Sequence, residues 1–231
     1  KNILSLIIMD NKLISKPITE NIYEIIKNKI KNVSVGLAII IVGNKQDSLI
    51  YINIKKKKCI ELGIKCDIYQ FQDNVDENSF IEKIIKLNND ININKIMVQL
   101  PLPKKYNQLN ILSKIDVNKD VDGLHPYNLG LLMMNKEPIY YPCTPLGILE
   151  IMNYYKINVE KKNIVFVGSG MVNLPLSVML LNKKASSITL CNENTENIKE
   201  KTQLADILIV ACGQPKMIKS DWIKENIIII D

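Results

Sequence analysis

Short apolar, β-rich runs alternate with helical stretches along almost the whole chain, and that order constrains its fold more than any other feature. Residues 36–43 read GLAIIIVG, an unbroken apolar run of strand length, as expected of a strand covered on both faces. Residues 47–62 read as a helix stopped at Gly63, 65–71 as a second strand and 77–89 as a second helix. KIMVQL (95–100) is a third strand, ended by Pro101 and Pro103, and 17–32 has helical spacing ahead of them all. This β-α-β-α-β order predicts a parallel sheet with helices on its faces. After a turn-rich stretch (119–127) and a helix over about 144–155, a second series starts at Asn163. It runs strand NIVFVG, glycine turn, helix, strand SITLC, helix, strand DILIVAC, helix, strand IIIID, a Rossmann-type half.

The expectation is an α/β protein of two lobes, an N-terminal parallel-sheet domain and a Rossmann-type dinucleotide-binding domain, with a ligand cleft between them. The boundaries fall at 1–120, a connector over 121–145, and 146–231.

Composition removes several alternatives. With 231 residues and 47% apolar side chains the chain can bury a real core. Thirty basic residues oppose 24 acidic ones for a net charge of +6, yet every basic residue is lysine. Without arginine, the commonest specific base contact and the bidentate phosphate fork are both missing, so the charge reads as solvated lysine and not as a nucleic-acid surface. No apolar run approaches the roughly 18–20 residues of a membrane span. Five cysteines form no CxxC pair, which favours a reducing compartment, and with a lone histidine, His125, a zinc site or a serine-type triad has little to draw on. The chain opens on Lys1 and stops at Asp231 directly after a strand-like run, as a fragment or processed form would. A cytoplasmic and an organellar origin both remain open.

Two sets of residues carry chemistry. Gly168-Ser169-Gly170, then Met171-Val172-Asn173, is a GxGxxG-like turn with asparagine for the third glycine. Such turns bring backbone N–H groups against a pyrophosphate at a helix N-terminus, although an ordinary strand-to-helix turn reads the same way. Glu193, twenty residues beyond Asn173, stands near the place of a ribose-binding acid. A carboxylate there accepts from a ribose 2′-hydroxyl and repels a 2′-phosphate, which favours NAD; a solvated loop acid is the alternative.

On the helix over 47–62, Ser48, Tyr51 and Lys55 share a face within about 60°. A tyrosine ring can stack on a flat substrate while the amine handles protons, but the run Lys55 to Lys58 is equally a solvated basic face. Gln99 sits at the carboxyl end of a strand, where α/β ligands bind. Asp120-Val121-Asp122-Gly123 is a turn signal whose carboxylate could also grip a donor-rich heterocycle.

Taken with VGNKQDSLIYINIKKKKCIELGI (42–64), VQLPLP (98–103), KDVDGLHPYNLG (119–130), PCTPLGI (142–148), CNENT (191–195) and ADILIVACGQP (205–215), these residues resemble the methylenetetrahydrofolate dehydrogenase/cyclohydrolase family across nearly the whole chain. The resemblance implies a bifunctional, metal-free enzyme. It oxidises 5,10-methylenetetrahydrofolate to the methenyl cation with NADP or NAD, then hydrolyses that cation to 10-formyltetrahydrofolate. It also implies residue roles. Lys55 corresponds to the catalytic lysine, Gln99 to its polar partner, and Tyr51 to the ring that stacks on folate. Ser48 shares that motif, Asp122 corresponds to the pterin-anchoring carboxylate, and Thr144, Gly168, Ser169 and Gly170 lie on the cofactor side. Homodimers are common in the family.

Three departures bear on this. GSGMVNLP is one residue shorter than the family's GRSxIVGxP and lacks its arginine; Glu193 replaces a serine; and the family's closing GDV turn, PGGVGPMT-like loop and final helix are absent. The first two weaken NADP binding. An NAD-linked dehydrogenase without hydrolysis and a non-catalytic folate-binding relative are the alternatives.

Overall fold

The computed structural model describes residues 12–231. They form two compact units. One comprises Thr19–Leu131 with Glu137–Tyr141; the other comprises Leu132–Lys136, Pro142–Asp231 and the described residues ahead of Thr19.

Helix α1 (Lys16–Ile30) precedes the first sheet, whose strands are β1 (Gly36–Val42), β2 (Lys65–Phe71) and β3 (Lys95–Val98). They run parallel in the order β2-β1-β3. Helices α2 (Gln46–Leu62) and α3 (Glu77–Asn89) provide the crossovers. Strand alternation divides the apolar side chains of β1 between two layers. Ala38, Ile40 and Val42 meet Phe80, Ile84 and Leu87 of α3, while Ile39 and Ile41 meet Ile52 of α2 and Met97 of β3. Both faces are therefore covered, which is why GLAIIIV carries no polar residue. Asp76 caps α3 by accepting from the Ser79 N–H at 2.9 Å, and Gly63 closes α2 at φ 78°, a left-handed turn that glycine adopts without strain.

Two short helices, α4 (Gln108–Leu112) and α5 (Pro126–Met133), lie in stretches whose sequence pattern predicts a turn or no regular element. PYNLGLLM shows little helical periodicity, and tertiary packing settles its conformation.

In the other unit, α6 (Cys143–Tyr154) leads to β4 (Asn163–Val167), α7 (Asn173–Asn182), β5 (Ser187–Cys191), α8 (Ile198–Gln203), β6 (Ile207–Val210) and β7 (Ile228–Ile230). The sheet is parallel, in the order β5-β4-β6-β7. Val165, Val167 and Leu208 pack with Cys191 and Ala205 on one face; Ile164 and Phe166, also fully buried, alternate to the other. The helix expected between the last two strands is not there. Gly213 adopts φ 67°, Pro215 follows, and the only helical turn in that stretch is a 3₁₀ turn at Ser220–Trp222.

Candidate active site

Helix α2 presents Ile52 and Cys59 to the first sheet, both buried. Lys55 lies three residues after Ile52 and four before Cys59, on the same inward stripe. Beneath it runs β3. Met97 packs toward α2, and alternation turns Gln99, two residues on, to the same side. Lys55 Nζ accordingly donates to Gln99 Oε1 at 3.2 Å and lies 3.2 Å from Met97 Sδ. Gln99 is held in turn: its backbone N–H donates to Ile40 at 2.8 Å and its Nε2 to the Leu100 carbonyl at 2.7 Å.

The segment after α4 returns to this strand. The Ile96 N–H donates to the Lys119 carbonyl at 2.8 Å, so residues 119–121 lie along the edge of β3 and bring in Asp122. Its carboxyl is pushed up to about 6, chiefly by burial; the nearby Lys55 charge opposes the shift and Asp120 adds to it. Asp120 is buried, and its Oδ2 accepts both from the His125 N–H at 2.8 Å and from Asn128 Nδ2 at 2.9 Å. Asn128 Oδ1 accepts from the Ile139 N–H at 3.0 Å, which ties the connector back on itself.

Lys55, Gln99 and Asp122 are thus brought together. Tyr51, one turn before Lys55, is 62% exposed, and Ser48 is half-buried. Sequence patterns single out neither Met97 and Asn128 nor the anchoring part of Asp120 as site residues. Met97 was legible from strand alternation alone, whereas the other two needed the path of the connector.

The second set lies in the other unit. Gly168, Ser169, Gly170 and Glu193 line one cavity of about 500 Å³, with Asn192 and Gln214. Gly168 has φ 105°, and a Cβ there would stand 2.4 Å from the Ala211 carbonyl oxygen, so only glycine fits this cradle. Glu193 is exposed on a loop tied by the Asn192 N–H to Thr195 Oγ1 at 2.9 Å. Thr144, exposed in the first turn of α6, is not among the residues lining that cavity. Asn173 is buried behind the turn, where the sequence had suggested only a lost glycine.

Among the described residues no group of three His, Cys, Asp or Glu side chains could hold a metal, and no helix is long and apolar enough to cross a membrane.

Comparison with known proteins decides the family. The profile of the tetrahydrofolate dehydrogenase/cyclohydrolase catalytic domain matches residues 9–122, and that of the same family's NAD(P)-binding domain matches 142–231. The chain belongs to the tetrahydrofolate dehydrogenase/cyclohydrolase family. Bifunctional protein FolD of Bacillus cytotoxicus is 40% identical over 99% of this chain and 79% of its own length. Among solved structures, the bifunctional FolD dehydrogenase/cyclohydrolase of Campylobacter jejuni superposes with a TM-score of 0.90 at 37% identity, covering 95% of this chain and 79% of that one. The Trypanosoma brucei FolD, solved with NADP and an inhibitor, superposes at 0.85 with 29% identity, covering 90% and 73%. The family's NAD(P)-binding domain is therefore present here as the second α/β unit.

Proposed function

We propose that this chain oxidises 5,10-methylenetetrahydrofolate and hydrolyses the resulting methenyl compound to 10-formyltetrahydrofolate. The observation that carries the hydrolytic half is the Lys55 Nζ held 3.2 Å from Gln99 Oε1, in the same unit as the partly buried Asp122 carboxyl. Water adding to the methenyl carbon must lose a proton, and ring opening must return one to nitrogen. Lys55 moves that proton, and Gln99 fixes the amine without adding charge. Asp122 accepts from the donor-rich edge of the pterin. Tyr51 offers an exposed ring for stacking, with Ser48 as a further polar contact one turn away.

When bound, NAD(P) supplies the hydride acceptor for the oxidation. The Gly168 cradle fits its pyrophosphate because Gly168 brings the backbone close to the ligand, with Ser169 and Gly170 beside it. Thr144, at the start of α6, is assigned to the cofactor side on the family resemblance alone. We assign NAD as the preferred form, since Glu193 borders the cavity and the sequence holds no arginine for a 2′-phosphate. In the same reading residues 1–120 serve the folate, 121–145 connect, 146–231 serve the dinucleotide, and the protein works as a homodimer.

Purified protein assayed separately for methylene oxidation and for methenyl hydrolysis tests this, with both NAD and NADP supplied. Both reactions are expected, NAD being the better acceptor. Glu193→Ser should move the NADP-to-NAD ratio of kcat/KM upward by about tenfold, equivalent to about 1.4 kcal/mol of relieved repulsion. An unmoved ratio removes Glu193 from cofactor choice, and absence of either reaction removes that half of the proposal.

A further inference from the structure

Asn173 stands where a GxGxxG turn carries its third glycine and where the family's GRSxIVGxP carries its second, and the structure gives that side chain a definite task. Asn173 is completely buried at the start of α7. Its Nδ2 donates to the carbonyl of Gly168 at 2.9 Å and to that of Val167 at 3.2 Å. Its Oδ1, equally buried, has no hydrogen-bond partner. An unpaired buried acceptor costs free energy, so the bonding of this amide is one-sided: both donors serve the turn and nothing serves the oxygen.

The turn is gripped from the neighbouring strands as well. The Gly168 N–H donates to Cys191 at 2.8 Å, and the Ala211 N–H to Val167 at 2.9 Å. What remains to be fixed is the peptide between Gly168 and Ser169. A trans peptide is planar, with C=O and N–H pointing opposite ways. Drawing the Gly168 carbonyl toward Asn173 therefore turns the Ser169 N–H away from it. Gly168, Ser169 and Gly170 line the cavity that Glu193 borders, whereas Asn173 is not among its lining residues.

We propose that Asn173 is a positioning residue for the dinucleotide: from behind the turn it holds the Gly168–Ser169 peptide so that the Ser169 N–H faces an anionic phosphate oxygen. The proposal rests on the dinucleotide reading above and adds a residue to it. Two glycines and one asparagine side chain do the work of three glycines, and the shorter GSGMVN turn keeps its shape because its carbonyls are pinned by a side chain.

The test uses the whole chain with Asn173→Gly, which restores the family's residue, together with Asn173→Ala and Asn173→Ser. KM and kcat of methylene oxidation are measured against NAD and NADP, alongside calorimetric binding of each dinucleotide and thermal melting. Glycine and alanine should each raise KM and Kd for both dinucleotides about tenfold, with kcat at saturation changed less than about twofold; serine, keeping one donor, should fall between. Unchanged KM in the glycine and alanine variants would overturn the proposal. So would a fall in kcat that tracks a lost melting transition, because Asn173 would then be a brace for the fold alone. A parent protein that binds neither dinucleotide overturns the cofactor reading itself, whatever the variants do.

Discussion

At Lys55 two periodicities meet. The helical stripe of Ile52 and Cys59 carries the amine inward, and the strand alternation of Met97 and Gln99 raises an amide to meet it. Lys55→Met keeps the length and apolar stem of the side chain but removes the proton carrier. Methenyl hydrolysis should fall by at least about a hundredfold with an unchanged melting transition; retained turnover would clear Lys55 of the chemistry. Asp122 makes a prediction in pH. Its carboxyl is raised from 3.8 to about 6, so the native state binds more protons than the unfolded chain between those values, and stability declines as pH rises through that window. Above it the partly buried side chain carries its charge at the cost that raised its pKa. Asp122→Asn should therefore stabilise the protein at pH 8 by roughly 1–3 kcal/mol and by little at pH 3, read from urea melts, while weakening folate binding. A gain that is equal at both pH values would trace to packing instead. The individual residues were named from the sequence, but the burial that perturbs Asp122 was not visible there, since it depends on residues 119–121 lying along β3.

At the scale of elements, the β4–α7 turn is where backbone geometry is least forgiving. Gly168→Ala would force a left-handed φ on alanine and drive its Cβ into the Ala211 carbonyl. A loss of roughly 2–3 kcal/mol in stability is expected, with dinucleotide binding abolished; a variant that melts and binds like the parent would mean that the turn can relax at no cost. The buried strands β1 and β4 were readable because both faces of each are covered, which leaves no place for a polar residue. Helix α5 and the irregular stretch between β6 and β7 were not. Eight residues of mixed periodicity cannot nucleate a helix alone, and a glycine with positive φ ahead of a proline ends one before it starts.

For the molecule as a whole, thirty lysines and no arginine make a solvated surface. Exposed ion pairs such as Lys199 with Asp221, both side chains largely in water, contribute little to stability. Duplex DNA should accordingly show no saturable binding at physiological salt in fluorescence anisotropy; salt-resistant, sequence-dependent binding would contradict this reading of the charge. By itself the sequence determined the alternating α/β order, the two-part organisation and the family, because apolar periodicity and short motifs act within a few residues of one another. Only the tertiary structure decided that Lys55 reaches Gln99, that Asp120 and Asn128 tie the connector, and that Asn173 fastens a turn. Those contacts join positions five to forty-four residues apart, across packed layers whose register no local pattern encodes.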